Sequence, residues 1–478
     1  MNAYLVGLIL VAAAAAFATS GIVYARRRSA SLEDYITARG TLGTWSGVAT
    51  LVASALGAWV LFGPAEAATW GGIGAVLGYA LGAAAPRFVF IPLGRRMREV
   101  MPEGHSLTEF LWHRFGRGVY VLTLLVMLFY MFIFLTAELT GMARLVALIA
   151  DIPLWVTASV VMATTLAYTA YGGLRASIFT DAIQLVIILP VLLTVLVIGW
   201  IAVGGTAETT AGLAERAPQL AEITYVPGLE AGLTLFLAVL LTSIFHQGYW
   251  QRVFASRDNR TLGRSFFIAG VIGGLFVFAM GLFGLAFVAH DLEGSPSTAV
   301  FAVLFEALPL WAMLIVLVLG LALVMSSADT VINAVASIIA VDLGRAMPKL
   351  GGQQLLKIAR LIIVAAGIPV VIVASQGYSV LYLFLLADLL CAAVAFPVFF
   401  GLFSRRYDST AAAVSIVAGL AAGATLFPDP GLQTGHLLGS FLLAFLVPIL
   451  VSLIFMALRR PPAFDFDTLR TDVRRIAD

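Results

Sequence analysis

The chain has 478 residues, 61% of them hydrophobic and 11% charged, a balance that excludes an ordinary soluble domain. Its formal net charge is +2 and it has one cysteine, Cys391, so an intramolecular disulfide is excluded and no nucleic-acid partner is called for. Apolar runs near the length of a bilayer crossing, about 20 residues, follow one another without a Pro/Ser-rich linker, which predicts a single all-α polytopic membrane domain over 1–478.

In chain order about thirteen spans are expected, over 3–25, 44–69, 72–94, 119–149, 155–171, 177–203, 230–250, 265–289, 309–341, 357–375, 378–402, 410–427 and 436–458. The first lacks a basic leading region and its positive cluster follows it, so it reads as an uncleaved helix rather than a signal peptide. Basic residues fall in alternate loops: Arg26 to Arg28 and Arg39; Arg95, Arg96, Arg98, Arg114 and Arg117; Arg175; Arg252, Arg257, Arg260 and Arg264; Arg345, Lys349, Lys357 and Arg360; Arg405 and Arg406; and the tail from Arg459. The intervening loops carry Glu208, Glu215, Glu222, Asp291 and Glu293 against Arg216. The positive-inside rule then puts the N-terminus outside and the C-terminus in the cytoplasm, in a plasma (inner) membrane.

The second span holds Ala53-Ser54-Ala55-Leu56-Gly57-Ala58-Trp59 and then Gly63-Pro64. Small residues and a proline there allow close helix packing, or a broken helix whose freed carbonyls meet a cation. Further on, Tyr168-Thr169-Ala170-Tyr171-Gly172-Gly173-Leu174-Arg175 predicts a tight cytoplasmic turn. Asp181 follows, as the partner of a helix N-terminus or as a carboxylate on an ion path. In Gln247-Gly248-Tyr249-Trp250-Gln251-Arg252 the aromatics read as interfacial anchors. Most informative is the ninth span, where Ser326, Asp329, Thr330, Asn333 and Ser337 recur at spacings of three and four, with Ser327 beside them. On a helix the five form one polar stripe, which must face protein or water rather than lipid.

These fragments together resemble the sodium:solute symporter family, which includes sodium-coupled proline, pantothenate, sialic acid and sugar carriers. The resemblance runs from Ser31-Leu32-Glu33-Asp34-Tyr35 and Ala38-Arg39-Gly40, through Ser106-Leu107-Thr108-Glu109-Phe110 and Arg114-Phe115-Gly116, to Gly172-Gly173-Leu174 with Thr180-Asp181 and Gln184. It ends at Ser326-Ser327-Ala328-Asp329, Asn333 and Asp342-Leu343. It implies a leucine-transporter-type core of two inverted five-helix repeats, here about 44–203 and 230–402. The segment 1–43, the two helices of 410–458 and the tail 459–478 would lie outside that core. It also implies a sodium site made of backbone carbonyls of Ala53, Leu56 and Leu323 and the hydroxyls of Ser326 and Ser327. A second ion site would fall on Asp181, Asp329 and Thr330, with Ser326 shared. Asp329 and Thr330 stand where some members have two hydroxyls.

The solute is less legible. Ala55 stands where proline carriers have an aspartate. Candidate solute contacts are Ser54, Ala55, Trp59, Glu138, His246 and Gln247. Arg144 could bind a carboxylate, but its place near the outer end of its span favours snorkelling. Asp388 could touch solute or cap an internal break in its own helix.

The predicted function is sodium-coupled symport of a small polar organic solute, an amino acid or carboxylate foremost. Na+ would be the coupling ion, with no organic cofactor, and a lipid-embedded monomer would suffice. The alternatives are a proton-coupled carrier or a membrane receptor without an output domain of its own. An enzyme is disfavoured, since no His-rich metal set, nucleophile elbow or phosphate loop occurs.

Overall fold

The structure is a computed structural model, which describes residues 1–26, 32–347, 349–430, 434–459 and 461–473, and of Tyr171 the backbone alone. Ser31, the pair Arg27 and Arg28 and the last positions of the tail, 474–478, lie outside the described residues. The chain is helical, with one isolated bridge between Leu42 and Ser256 and no β-strand among the described residues.

The first half holds α1 (Ala3–Arg26), α2 (Leu32–Ile36), α3 (Thr44–Ala53), α4 (Trp59–Val100), α5 (Leu107–Phe115), α6 (Arg117–Ala150), α7 (Leu154–Ala202) and α8 (Gly205–Arg216). The second holds α9 (Val226–Ser243), α10 (Gln247–Ala255), α11 (Asn259–Ala289), α12 (Ala299–Ala307), α13 (Met313–Ala346), α14 (Gly352–Ala374) and α15 (Val380–Phe400). After these come α16 (Ser409–Ala424), α17 (Leu437–Leu458) and the short α18 (Asp467–Asp472).

By length and composition, 10 helices among the described residues can cross a membrane. The expected thirteen is reached only by also counting two kinked halves and the shorter α16. The expected run 44–69 is two helices, α3 and the start of α4, parted over 54–58. α4 then continues through a kink at Gly72 (φ 59°) over the expected third span. At the predicted turn, Gly173 (φ 62°) leaves helical geometry, and two helical stretches meet there within α7. The run 230–250 is likewise split into α9 and α10.

Composition explains the packing of the scaffold. α4 lies against α9 along glycines, and a Cβ on Gly78 would fall on the backbone of Gly232. Backbone-to-backbone approach of this kind replaces the hydrophobic drive that lipid does not supply. α13 is deeply enclosed: its residues 319–334 are all buried, polar ones included. It packs against α6 and α7, beside α3 and α10, so its polar stripe faces both breaks.

The basic loops meet at one end of the bundle. Arg39 donates to the carbonyls of Pro102, Glu103 and Gly104, Arg175 to Asp34 (2.6 Å), and Arg114 to the carbonyls of Gly401, Ser404 and Tyr407. At the same end His105 sits between Glu33 (2.7 Å) and Glu109 (3.1 Å). Burial opposes charge on both His105 and Glu33, but the hydrogen bonds and charges of Glu109 and Glu33 on the imidazole, and of His105 with Arg39 on Glu33, outweigh it. The imidazole is raised to about 9 and the Glu33 carboxyl lowered to about 2.

Candidate ion and solute site

The break between α3 and α4 is built by its own sequence. The amide of Ser54 reaches back to Thr50, and those of Ala55 and Leu56 to Val52; beyond the break, Val60 and Leu61 reach Gly57 and Ala58. No backbone donor among the described residues serves the carbonyl oxygens of Ala53 and Leu56. Trp59 closes the gap by donating its indole N–H to the carbonyl of Ala55 (3.0 Å). The Ala58 amide donates instead to Glu138 Oε2 of α6 (2.6 Å). A Cβ on Gly57 would overlap that carboxylate, so only glycine leaves it room. Freed carbonyls at a helix break suit a hard monovalent cation.

Across from the break, Leu323, Ser326, Ser327, Asp329 and Thr330 of α13 are all fully buried. Ser327 donates to Glu138 Oε2 (2.7 Å) and lies 3.0 Å from the Leu323 carbonyl. Glu138 therefore joins the far lip of the break to the serine pair, and its Oε1 has no partner among the described residues. Ser326 donates to Asp181 Oδ1. The five expected sodium ligands thus lie on two facing elements, with Glu138 between them.

The expected second ion site divides. Asp181 accepts from Thr50 and Ser326 and forms an ion pair with Arg252 (3.1 Å), whose guanidinium also reaches Thr330 (3.0 Å). Asp329 turns the other way and accepts from Tyr168 (2.8 Å), Ser177 (2.8 Å) and Thr180 (3.2 Å). Arg252 was expected in a basic loop but is fully buried. Tyr249 and Trp250, expected at the interface, are buried too; Trp250 donates its indole N–H to the Ile244 carbonyl (2.8 Å), within the second break.

A cavity opens beside the first break, with walls from Trp59, Tyr130, Phe134 and Phe384 and polar groups from Arg87, Thr242 and Asp388. Of the expected solute contacts it takes in Ala55 and Trp59, but not Ser54, Glu138, His246 or Gln247. Ser54 donates back to the Thr50 carbonyl (2.6 Å). His246 Nδ1 caps α10 by accepting from the Gly248 amide (3.1 Å), and Gln247 bonds His105 and Leu107. α15 runs unbroken through Asp388, so there is no internal break for that residue to cap. Arg144, left between binding a carboxylate and snorkelling, donates to Ser297 (2.9 Å) and to the Gly377 carbonyl (2.6 Å).

Sequence reasoning passed over Thr50, Arg87 and the site role of Arg252. Arg87 carried a usable signal, an arginine inside an apolar run. Arg252 was masked by its neighbours Arg257, Arg260 and Arg264.

A helical bundle with, among the described residues, ten membrane-length helices, two broken helices and a buried polar stripe between them defines a multi-pass membrane protein of the broken-helix transporter class. Residues 35–419 match the model of the Sodium:solute symporter family, and the chain belongs to that family, whose activity is sodium-coupled solute transport. It is 25% identical over 457 residues to Spermidine transporter DUR31 of Candida albicans, covering 90% of this chain and 85% of that protein. It is 24% identical to Sodium/mannose cotransporter SLC5A10 of Bos taurus and 22% identical to Sodium/myo-inositol cotransporter 2 of Oryctolagus cuniculus. The alignments cover 73% and 82% of this chain and span 66% and 65% of those two proteins. A solved structure of a Na+-coupled sialic acid symporter, in a substrate-bound outward-open state, superposes with a TM-score of 0.75 at 20% identity. That superposition covers 95% of this chain and 98% of the other, and establishes the shared fold.

Proposed function

We propose that the chain imports a small polar organic solute together with sodium by alternating access, as a non-enzymatic carrier able to work as a monomer. Sodium sits between the carbonyls of Ala53, Leu56 and Leu323 and the hydroxyls of Ser326 and Ser327. The observation that carries this reading is the pair of carbonyls left without donors at the break, facing two buried serines. The repeats run about 44–203 and 230–402, with the N-terminus outside and the basic end of the bundle in the cytoplasm.

The solute binds in the cavity beside Ala55 and Trp59. Asp388 is buried there and, among the described residues, paired with no basic side chain. Arg87 enters the same cavity and its Nε has no partner among the described residues. A carboxylate, an arginine and aromatic walls favour a solute with an ammonium group, above all a zwitterion such as an amino acid. The spermidine relative handles an amine, in keeping with Asp388, whereas the mannose and myo-inositol relatives act on a neutral sugar and a neutral cyclic polyol. The test is uptake into proteoliposomes with an inward sodium gradient, across panels of amino acids, amines and polyols. Initial rates unchanged when choline replaces sodium at fixed pH would defeat the coupling.

A second reading, in which a proton on Glu138 replaces or joins sodium, is favoured by that carboxylate lying directly on Ser327. Uptake driven by a pH gradient without sodium would establish it.

A further inference from the structure

Asp181, Thr50, Ser326 and Thr330 bring a carboxylate and three hydroxyls together, all fully buried, from α7, α3 and α13. An ionised carboxylate there requires a cation, since the membrane interior offers no water to compensate it. A set of oxygens like this, left to itself, suits a monovalent metal ion. It is already filled. Arg252 NH2 donates to Asp181 Oδ2 (3.1 Å), Thr50 Oγ1 (2.9 Å) and Thr330 Oγ1 (3.0 Å), while Nε also reaches Thr50 (3.1 Å). NH1 is held by the Gly248 carbonyl (3.1 Å). A guanidinium does not lose its proton in a protein, so this positive charge is permanent.

The tether explains its reach. Arg252 lies on α10, just past the second break, and α10 is anchored there by the His246 cap and the Trp250 indole. From that position the guanidinium links both broken helices, through Thr50 on one side and its own helix on the other. Ser326 ties this cluster to the proposed sodium site, because its hydroxyl donates to Asp181 while its neighbour Ser327 faces Glu138.

We propose that Arg252 is a tethered cation standing in for a second coupling ion: the chain binds one sodium ion, and the Asp181 cluster accepts a metal ion only when Arg252 is removed. The count of one, though not the tether itself, rests on the sodium site proposed above.

The test is the number of ions bound by purified full-length protein at saturating radioactive Na+, with a second readout in the shift of melting temperature when NaCl replaces choline chloride. The expected counts are one for the native chain, two for Arg252→Gln, and one for Arg252→Lys and for the double variant Asp181→Asn/Arg252→Gln. The melting temperature of Arg252→Gln should rise more steeply with NaCl than that of the native chain. Asp181→Asn alone should leave the native count unchanged, and loss of an ion in that variant would overturn the proposal even if Arg252→Gln does not fold. Two ions on the native chain, loss of one in Asp181→Asn, or equal counts for Arg252→Gln and the native chain would each overturn the proposal. No ion on the native chain but one on Arg252→Gln would uphold the tethered cation and remove the sodium site instead.

Discussion

Glu138 and Ser327 set the terms at the scale of single residues. Glu138 accepts from the Ala58 amide and from Ser327, so one carboxylate fixes both walls of the proposed ion site. Removing its charge in Glu138→Gln should raise the sodium concentration for half-maximal uptake about tenfold, which corresponds to ~1.4 kcal/mol. If that variant instead loses its response to a pH gradient while sodium dependence stays native, the proton reading stands. Ser326→Ala and Ser327→Ala should each weaken sodium dependence while leaving the helix intact, because alanine is the best helix former. Flux titrations against sodium, at constant membrane potential, measure all three. Two folded serine variants with native sodium curves would show that the ion binds elsewhere.

Among the elements, the two breaks and the loop cluster around His105 respond to different perturbations. At the first break, Gly57→Ala would push a methyl group into the Glu138 carboxylate. The expected cost is about 1–3 kcal/mol of stability, together with loss of sodium-driven uptake. Thermal melts and flux on the same preparation separate the two effects. His105, in the loop before α5, joins α2 to α5 through Glu33 and Glu109. Its pKa is raised in the folded protein, so its contribution to stability is complete below the ordinary 6.5 and is lost as pH rises through about 9. Glu33 is shifted down, so its share is present above 4.5 and lost as pH falls toward about 2. The native chain should therefore melt at a higher temperature than His105→Gln near pH 6, and this margin should shrink toward pH 10. A margin that does not change with pH would mean that the imidazole contributes shape rather than charge.

For the whole molecule, moving one net positive charge inward with the solute gains roughly 2.3 kcal/mol per 100 mV, so uptake should quicken when the liposome interior is made negative. Potential-independent initial rates would indicate electroneutral exchange. Much of this architecture was readable in the chain. Runs of apolar residues marked the membrane helices, Ala53 to Trp59 offered a break as one of two readings, and the three-and-four spacing around Asp329 marked the buried stripe. Contacts between distant elements were not readable, because periodicity describes one helix at a time. Thus the bond between Glu138 and Ser327 went unforeseen, and Arg252 was counted with a loop although its partner Asp181 is 71 residues away. The count of crossings was blurred for a related reason: at Gly72 and at Gly173 two helical stretches meet at a single residue of non-helical backbone.

Cys391 is fully buried in α15, and a thiol without access to solvent is slow to react. The native chain is therefore chemically quiet toward maleimides, so a cysteine introduced at the surface can be seen without a cysteine-free background. Tyr4 is 90% exposed and Phe403, beside the basic pair Arg405 and Arg406, is 52% exposed. In intact cells a membrane-impermeant maleimide should mark Tyr4→Cys at once and Phe403→Cys only after permeabilisation. The reverse order would invert the assigned sidedness, and with it the direction in which the carrier faces its sodium gradient.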